Sequence, residues 1–215
     1  METLIAPSLL AADFLRLDKA VELVNNYADL FHMDVMDGTF VPNISFGFSV
    51  VDAVAPKATK PLDVHLMIVH PEKYVERFAK SGASLISFHY EAALQDSAAV
   101  IDLIHAQGCK AGIAINPDCP VESIFPYLGS VDFVLIMSVF AGFGGQKFIP
   151  ESLERIAKVR AELDRRGRID IPIEVDGGIG PANCAEVKTA GASMLVAGSS
   201  VFKAADPAAA IASMR

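Results

Sequence analysis

His32 and Asp34 stand two residues apart in "FHMDVM"; His65 and Met67 repeat that spacing in "LDVHLM", and Glu174 and Asp176 repeat it in "IEVDGG". Residues two apart in an extended strand share a face. Each pair therefore points to one side of a segment that is otherwise apolar. A core strand excludes carboxylates unless they are paired, hydrogen-bonded or bound to a cation, because an isolated buried charge is strongly disfavoured. His32, Asp34, His65 and Asp176 supply two imidazoles and two carboxylates that could converge on one divalent cation with coordination positions left open. Zinc, manganese, iron and cobalt all accept such a set. The competing reading makes each a hydrogen-bonded core residue, and four such groups at matching strand ends weigh against it.

A second constellation is glycine-rich: "GFGG" (Gly142, Phe143, Gly144, Gly145), Gly177 with Gly178, and Gly198 followed by Ser199. Glycine lets backbone N–H groups approach a phosphate closely, although each run alone also suits a tight turn. "GFGGQK" has neither the Walker A spacing nor G-x-G-x-x-G, which leaves a nucleotide site without support.

The elements that must position these residues follow a repeating pattern. Eight short runs rich in Val, Ile, Leu and Phe recur: "LIAPSL", "LFHMDV", "LDVHLMI", "LISFHY", "KAGIAI", "FVLIMSV", "IEVDGG" and "MLVAGSS". Amphipathic stretches lie between them, such as Phe14, Leu17, Val21, Val24 and Leu153, Ile156, Val159, Leu163, each spaced for one helix face. "AKSGASLISFH" and "KTAGASMLVAG" both put glycine where a helix ends and a strand begins. Eight βα units most simply close into a (β/α)8 barrel, with an open doubly wound sheet as the alternative. No linker or composition break divides the chain, so residues 1–215 are expected to form one domain. Barrel active sites form at the C-terminal ends of the strands, where the four candidate ligands fall.

Composition narrows the partners. The formal net charge of -8 argues against a nucleic-acid surface. It would also repel an anionic substrate unless helix N-termini or a metal reverse the potential locally. Cys109, Cys119 and Cys184 are odd in number and lack C-x-x-C spacing, which indicates no disulfide framework and fits a reducing cytoplasm. With no long uncharged apolar run and an acidic start to the sequence, neither a membrane span nor a targeting leader is expected.

The strings "IAPSLLAADF", "HMDVMDGTFVPN", "PLDVHLMIVHPEKY", "GFGGQKFIP", "IEVDGGI" and "VAGSSVF" resemble the ribulose-phosphate 3-epimerase family, in order and across nearly the whole chain. The resemblance implies a TIM barrel of the ribulose-phosphate-binding type that interconverts ribulose 5-phosphate and xylulose 5-phosphate in the pentose phosphate pathway. It implies one divalent ion, zinc first and iron, manganese or cobalt otherwise, held by His32, Asp34, His65 and Asp176, with Asp34 and Asp176 also carrying protons. Ser8, His65, Asp176, the 142–145 run, Gly177, Gly178, Gly198 and Ser199 would contact a sugar phosphate. Met36, Met67 and Met137 would shield the intermediate. A cytoplasmic homo-oligomer is expected. The chain has Phe140 and Ala141 where family members commonly carry Asn-Pro, so the loop over the substrate is expected to close differently.

The residue types suit that chemistry. Inverting a carbon beside a ketone removes a proton from one face and returns one to the other through an enediolate, which calls for one ionised and one protonated carboxyl. An epimerase of a six-carbon ketose phosphate such as allulose 6-phosphate, a metal-dependent aldolase and a non-catalytic phosphate-binding barrel are the alternatives. Among the remaining polar residues, His89 and Glu91 are read as structural, and Asp37 as a loop anchor. Asp63 and Glu174 should point inward below the ligand layer, with Lys110 a candidate to neutralise one of them. Arg155, Lys158, Arg160, Arg165, Arg166 and Arg168 read as a solvated helix face.

Overall fold

A computed structural model describes residues 2–215. All eight apolar runs are strands: β1 Leu4–Pro7, β2 Phe31–Met36, β3 Leu62–Met67, β4 Ala83–His89, β5 Lys110–Ile115, β6 Phe133–Met137, β7 Ile173–Asp176 and β8 Met194–Ala197. Every neighbouring pair is parallel, and the hydrogen-bonded order runs β1-β8-β7-β6-β5-β4-β3-β2. The remaining seam, between β1 and β2, is bridged at Ser8 and His32. There the Asp29 backbone N–H donates to the Ile5 carbonyl at 3.0 Å, and the Asp29 carboxylate accepts from Ile5 N–H at 2.8 Å. The sheet is thus a nearly closed TIM barrel rather than an open doubly wound sheet.

Helices α1 Leu17–Tyr27, α2 Phe48–Val54, α3 Val75–Lys80, α4 Tyr90–Ala93, α5 Ser97–Ala106, α6 Ser152–Arg165, α7 Cys184–Thr189, α8 Ser199–Phe202 and α9 Pro207–Ala212 follow the strands; β5 leads instead into a 3-10 stretch, Val121–Tyr127. In α6 the stripe Ile156, Val159, Leu163 is fully buried, as its spacing predicted. Phe14 differs from expectation. It lies in a 3-10 turn ahead of α1 and tilts against Phe46 at 5.7 Å, because Asp13 caps that turn by accepting from Leu15 N–H. Gly82 and Gly191, after α3 and α7, have φ of +107° and +118°, a region that favours glycine at a helix exit.

Strand alternation sorts the interior into layers. Outward residues such as Phe31, Met33, Val35, Ile173 and Val175 pack beneath the helices. Inward residues form an apolar plug at the N-terminal end, built from Leu30, Leu85, Phe133 and Met194. Above it lies a polar layer of His32, Asp63 and Glu174, and above that Asp34, His65 and Asp176.

The plug explains why Lys110 is not inside. Gly112, the next inward position on β5, is filled by Phe133, whose Cζ would lie 2.2 Å from a Cβ at residue 112. Lys110 therefore stays exposed at the lower rim beside Asp132. Gly112→Ala is expected to destabilise the fold by about 1–3 kcal/mol through overpacking. Urea denaturation measures this, and adding Phe133→Leu should recover part of the loss.

The basic cluster also departs from a uniformly solvated face. Arg155 donates to the carbonyls of Asn116 and Cys119, Arg160 to those of Ile171 and Arg168, and Arg168 to those of Leu128 and Gly129. Half the cluster satisfies loop carbonyls that helix periodicity does not reveal.

Candidate active site

The register brings the four candidate ligands together. Asp34 on β2 is paired with His65 on β3, and the bridge from Ser8 to His32 closes the barrel one pleat below Asp34. Asp176 ends β7 and reaches in from across the barrel. Asp34 Oδ1 lies 3.3 Å from His32 Nε2 and 3.2 Å from His65 Nδ1; Asp176 Oδ2 lies 3.9 Å from each of those nitrogens. One ligand atom from each of the four falls within 4.8 Å of the others.

This donor set fits a divalent cation. His32 Nε2 is buried, faces the cluster and has no hydrogen-bond partner among the described residues, an arrangement that strands a polar atom unless something else occupies the centre. Its other nitrogen, Nδ1, is 2.6 Å from Asp63 Oδ2. A carboxylate there keeps a proton on Nδ1 and aims Nε2 at the cluster, where its lone pair becomes available to a cation once Nε2 is deprotonated. His65 Nε2 lies 3.0 Å from His89 Nε2, and the two rings stack at 5.1 Å. His89 is completely buried, with Glu91 Oε2 at 3.5 Å from its Nδ1. Asp63 and Glu174 do point inward, and His32 meets both, with Glu174 Oε1 at 3.4 Å.

Electrostatics separate the two upper carboxyls. Burial pushes Asp34 up, but His32 and His65 beside it more than offset this and hold it well below the usual carboxylate range. Burial and the neighbouring Asp34 charge raise Asp176 to about 7. Burial lowers His65 to about 4, so it is neutral. His32 is opposed by burial yet held well above the usual histidine value by Asp34 and Asp63. Burial and then Asp63 raise Glu174 strongly.

Above the cluster opens a cavity of about 590 Å³, mouth included. Asp34 and Asp176 reach its surface, whereas His32 and His65 lie buried beneath. Met36, Met67 and Met137 form its floor, each at most 5% exposed. Ser8 lines the wall and donates its hydroxyl proton to Asp34 Oδ2. Gly142, Phe143, Gly144 and Gly145 lie over one side, with Gly177, Gly178, Gly198 and Ser199 nearby. Gly178 has φ +66°, and a Cβ there would meet Phe148 N at 2.4 Å, so the two loops touch through backbone alone. Asp37 anchors its own loop, accepting from the N–H groups of Thr39, Phe40 and Val69.

Three residues around the cavity escape sequence reasoning. Gln146, Asn43 and Asn116 bond to the 140–145 segment through side-chain amides. Asn43 and Gln146 stand inside family-like strings and Asn116 precedes a proline, but no spacing signals partners as far as 99 residues away.

Comparison with known proteins agrees with this geometry. The model of the ribulose-phosphate 3 epimerase family matches residues 4–202. The chain is 51% identical over 213 residues to a ribulose-phosphate 3-epimerase of Synechocystis sp., covering 98% of this chain and 92% of that protein. It is 46% identical over 212 residues to the enzyme of that name from Bacillus subtilis, covering 98% and 97%. Among solved structures, 3-hexulose-6-phosphate synthase from Salmonella typhimurium superposes with a TM-score of 0.75 at 16% identity, covering 98% of this chain and 96% of its own, a likeness of fold alone. With the family's model matched almost end to end and near-full-length relatives of one name at about half identity, the chain belongs to the ribulose-phosphate 3-epimerase family and is an epimerase, an isomerase on a TIM barrel.

Proposed function

We propose that this chain, acting as one domain over residues 1–215, is a metal-dependent 3-epimerase that interconverts D-ribulose 5-phosphate and D-xylulose 5-phosphate in the pentose phosphate pathway. The observation that carries the reading is the pair of cavity-facing carboxyls, Asp34 and Asp176, on strands from different parts of the barrel and driven in opposite directions by their surroundings. Asp34, ionised, takes the C3 proton on the path to xylulose 5-phosphate. Asp176, neutral near pH 7, returns a proton to the opposite face; in reverse the two exchange roles.

His32, Asp34, His65 and Asp176 would hold the cation, zinc or else iron, manganese or cobalt. Bound there, it supplies Lewis acidity that stabilises the negative charge developing on the substrate oxygens. His32 keeps its Nδ1 proton on Asp63, and His65 gives its Nε2 proton to His89, so both rings direct lone pairs inward. Met36, Met67 and Met137 exclude water from the intermediate with polarizable, weakly hydrated surface. Ser8 orients Asp34 and contacts the sugar. The backbone N–H groups of Gly142, Phe143, Gly144, Gly145, Gly177, Gly178, Gly198 and Ser199 give the phosphate a positive lining that the overall charge of -8 does not.

The cytoplasmic location is supported by cysteines that are all free; no helix of the described residues is long and apolar enough to cross a membrane. Exposed Leu15, Ile44 and Phe14 support a homo-oligomer.

Conversion of ribulose 5-phosphate to xylulose 5-phosphate in a coupled assay tests the function. Turnover of the pentose well above that of allulose 6-phosphate is expected, and a preference for the hexose overturns the substrate assignment.

Cation binding should depend on pH. Without metal, His32 is held protonated above its usual range by Asp34 and Asp63, and the proton on Nε2 must leave when the cation binds, whereas Asp176 can offer one oxygen and keep its proton on the other. The affinity for zinc is expected to rise with a slope near one per pH unit across neutral pH. Competition with a chromophoric chelator across neutral pH measures the slope. The metal-free fold responds in the opposite sense. A carboxyl raised above its unfolded value stabilises the fold when protonated, so the Asp176 contribution is full below about pH 4 and is lost as pH rises through about 7.

A further inference from the structure

The 140–146 segment that covers one side of the cavity carries its own brace: Gln146 Nε2 donates to the carbonyls of Phe140 and Phe143 at 2.7 and 2.8 Å. A brace of this kind sets the shape of the segment and leaves its position over the cavity to outside contacts. Two asparagines supply those contacts in this segment's first turn. Asn43 Nδ2 donates to the Gly142 carbonyl at 2.7 Å, and Asn116 Oδ1 accepts from the Ala141 N–H at 3.0 Å.

The two asparagines differ in what stands behind them. Asn43 belongs to the loop between β2 and α2. Asn116 follows β5 directly and its backbone is fixed on two further sides: its N–H donates to Glu91 Oε1 at 2.7 Å and its carbonyl accepts from Arg155 Nη2 at 2.8 Å. The end of β5 and the helices α4 and α6 therefore meet at this half-buried residue. The bond it makes also requires an N–H at residue 141, which proline lacks. Alanine at that position is one of the two departures noted in the sequence.

We propose that Asn116 is a positioning residue for the epimerisation: by accepting from the Ala141 N–H it sets where the 140–146 segment sits over the cavity, and so how well the bound sugar phosphate is held. Asn116 does not touch the reacting carbon. Its loss is felt in substrate binding more than in proton transfer. This rests on the substrate reading above.

The test combines steady-state kinetics with amide hydrogen exchange. Asn116→Ala and Ala141→Pro each remove the same single hydrogen bond and are each expected to raise KM for ribulose 5-phosphate about three- to tenfold, the range for one hydrogen bond, with kcat changed less. The double variant should be no worse than the more affected single one, because both remove one bond. Asn116→Asp keeps an acceptor for Ala141 and should restore KM to within about twofold of wild type, given that the acceptor geometry is retained. A purely structural role would instead show additive losses and no rescue by aspartate. In the unliganded wild-type protein, which needs no substitution to fold, the Ala141 amide should exchange more slowly with solvent than those of Phe143 and Gly144. Additive effects, an unchanged KM in Ala141→Pro, or fast exchange at Ala141 overturns the proposal. Absence of wild-type turnover on ribulose 5-phosphate strikes the substrate reading instead, and slow exchange at Ala141 would then still mark the anchor.

Discussion

Asp176→Asn is expected to lower the turnover of ribulose 5-phosphate by about 10²–10⁴-fold, the usual range for losing a positioned acid or base, and Asp34→Asn to do at least as much. Asparagine fills nearly the same volume and still accepts hydrogen bonds, so the barrel should persist; what is lost is a carboxyl that can take and give a proton. The two variants should separate in a second measurement. Asp34 accepts from Ser8, faces both imidazoles and is drawn down by them, so its loss disturbs the whole cluster and weakens cation binding sharply. Asp176 stands 3.9 Å from both histidine nitrogens and keeps 17% of its side chain exposed, so its loss should affect proton return more than cation affinity. Turnover in both directions, metal content and thermal denaturation of each variant provide the comparison. A Asp176→Asn variant with near-normal turnover removes the acid from the mechanism.

Stripping the protein with a chelator should lower turnover by at least about 10²-fold, since a Lewis acid is worth several kcal/mol of transition-state charge stabilisation and each 1.4 kcal/mol is about tenfold. One equivalent of zinc, iron, manganese or cobalt should restore it. The physical basis is the buried His32 Nε2, for which the described residues provide no hydrogen bond. Nitrogen left in that state calls for a cation or a proton. Full turnover from protein shown to be free of metal would leave the four-residue cluster without its proposed purpose.

Much of this arrangement was legible in the sequence, for a physical reason. Alternation in a strand is short-range information, so "FHMDVM", "LDVHLM" and "IEVDGG" announce which side chains share a face, and the βα repeat announces that those faces line one barrel. The inward direction of Asp63 and Glu174 and the anchoring by Asp37 follow from the same local rules. Features that depended on distant packing were missed. Lys110 has the right alternation to point inward, but Phe133 occupies the space beside Gly112. Phe14 continues the apolar spacing of α1, yet Asp13 diverts the chain into a 3-10 turn. Arg155 reads as a surface charge, and its partners are carbonyls 36 and 39 residues away. Asn116 has no local signal at all, since its meaning depends on the Ala141 N–H.

Exchange of the C3 hydrogen with solvent tests the two-carboxyl mechanism most directly, because it reports proton removal whether or not a product accumulates. Wild-type protein incubated with ribulose 5-phosphate in deuterated water should place deuterium at C3 of both sugars, followed by NMR; Asp34→Asn should place little or none in ribulose 5-phosphate, while Asp176→Asn, which keeps the base for that face, should still label ribulose 5-phosphate but form little xylulose 5-phosphate. Deuterium entering ribulose 5-phosphate at the wild-type rate in Asp34→Asn would contradict proton removal by this carboxyl.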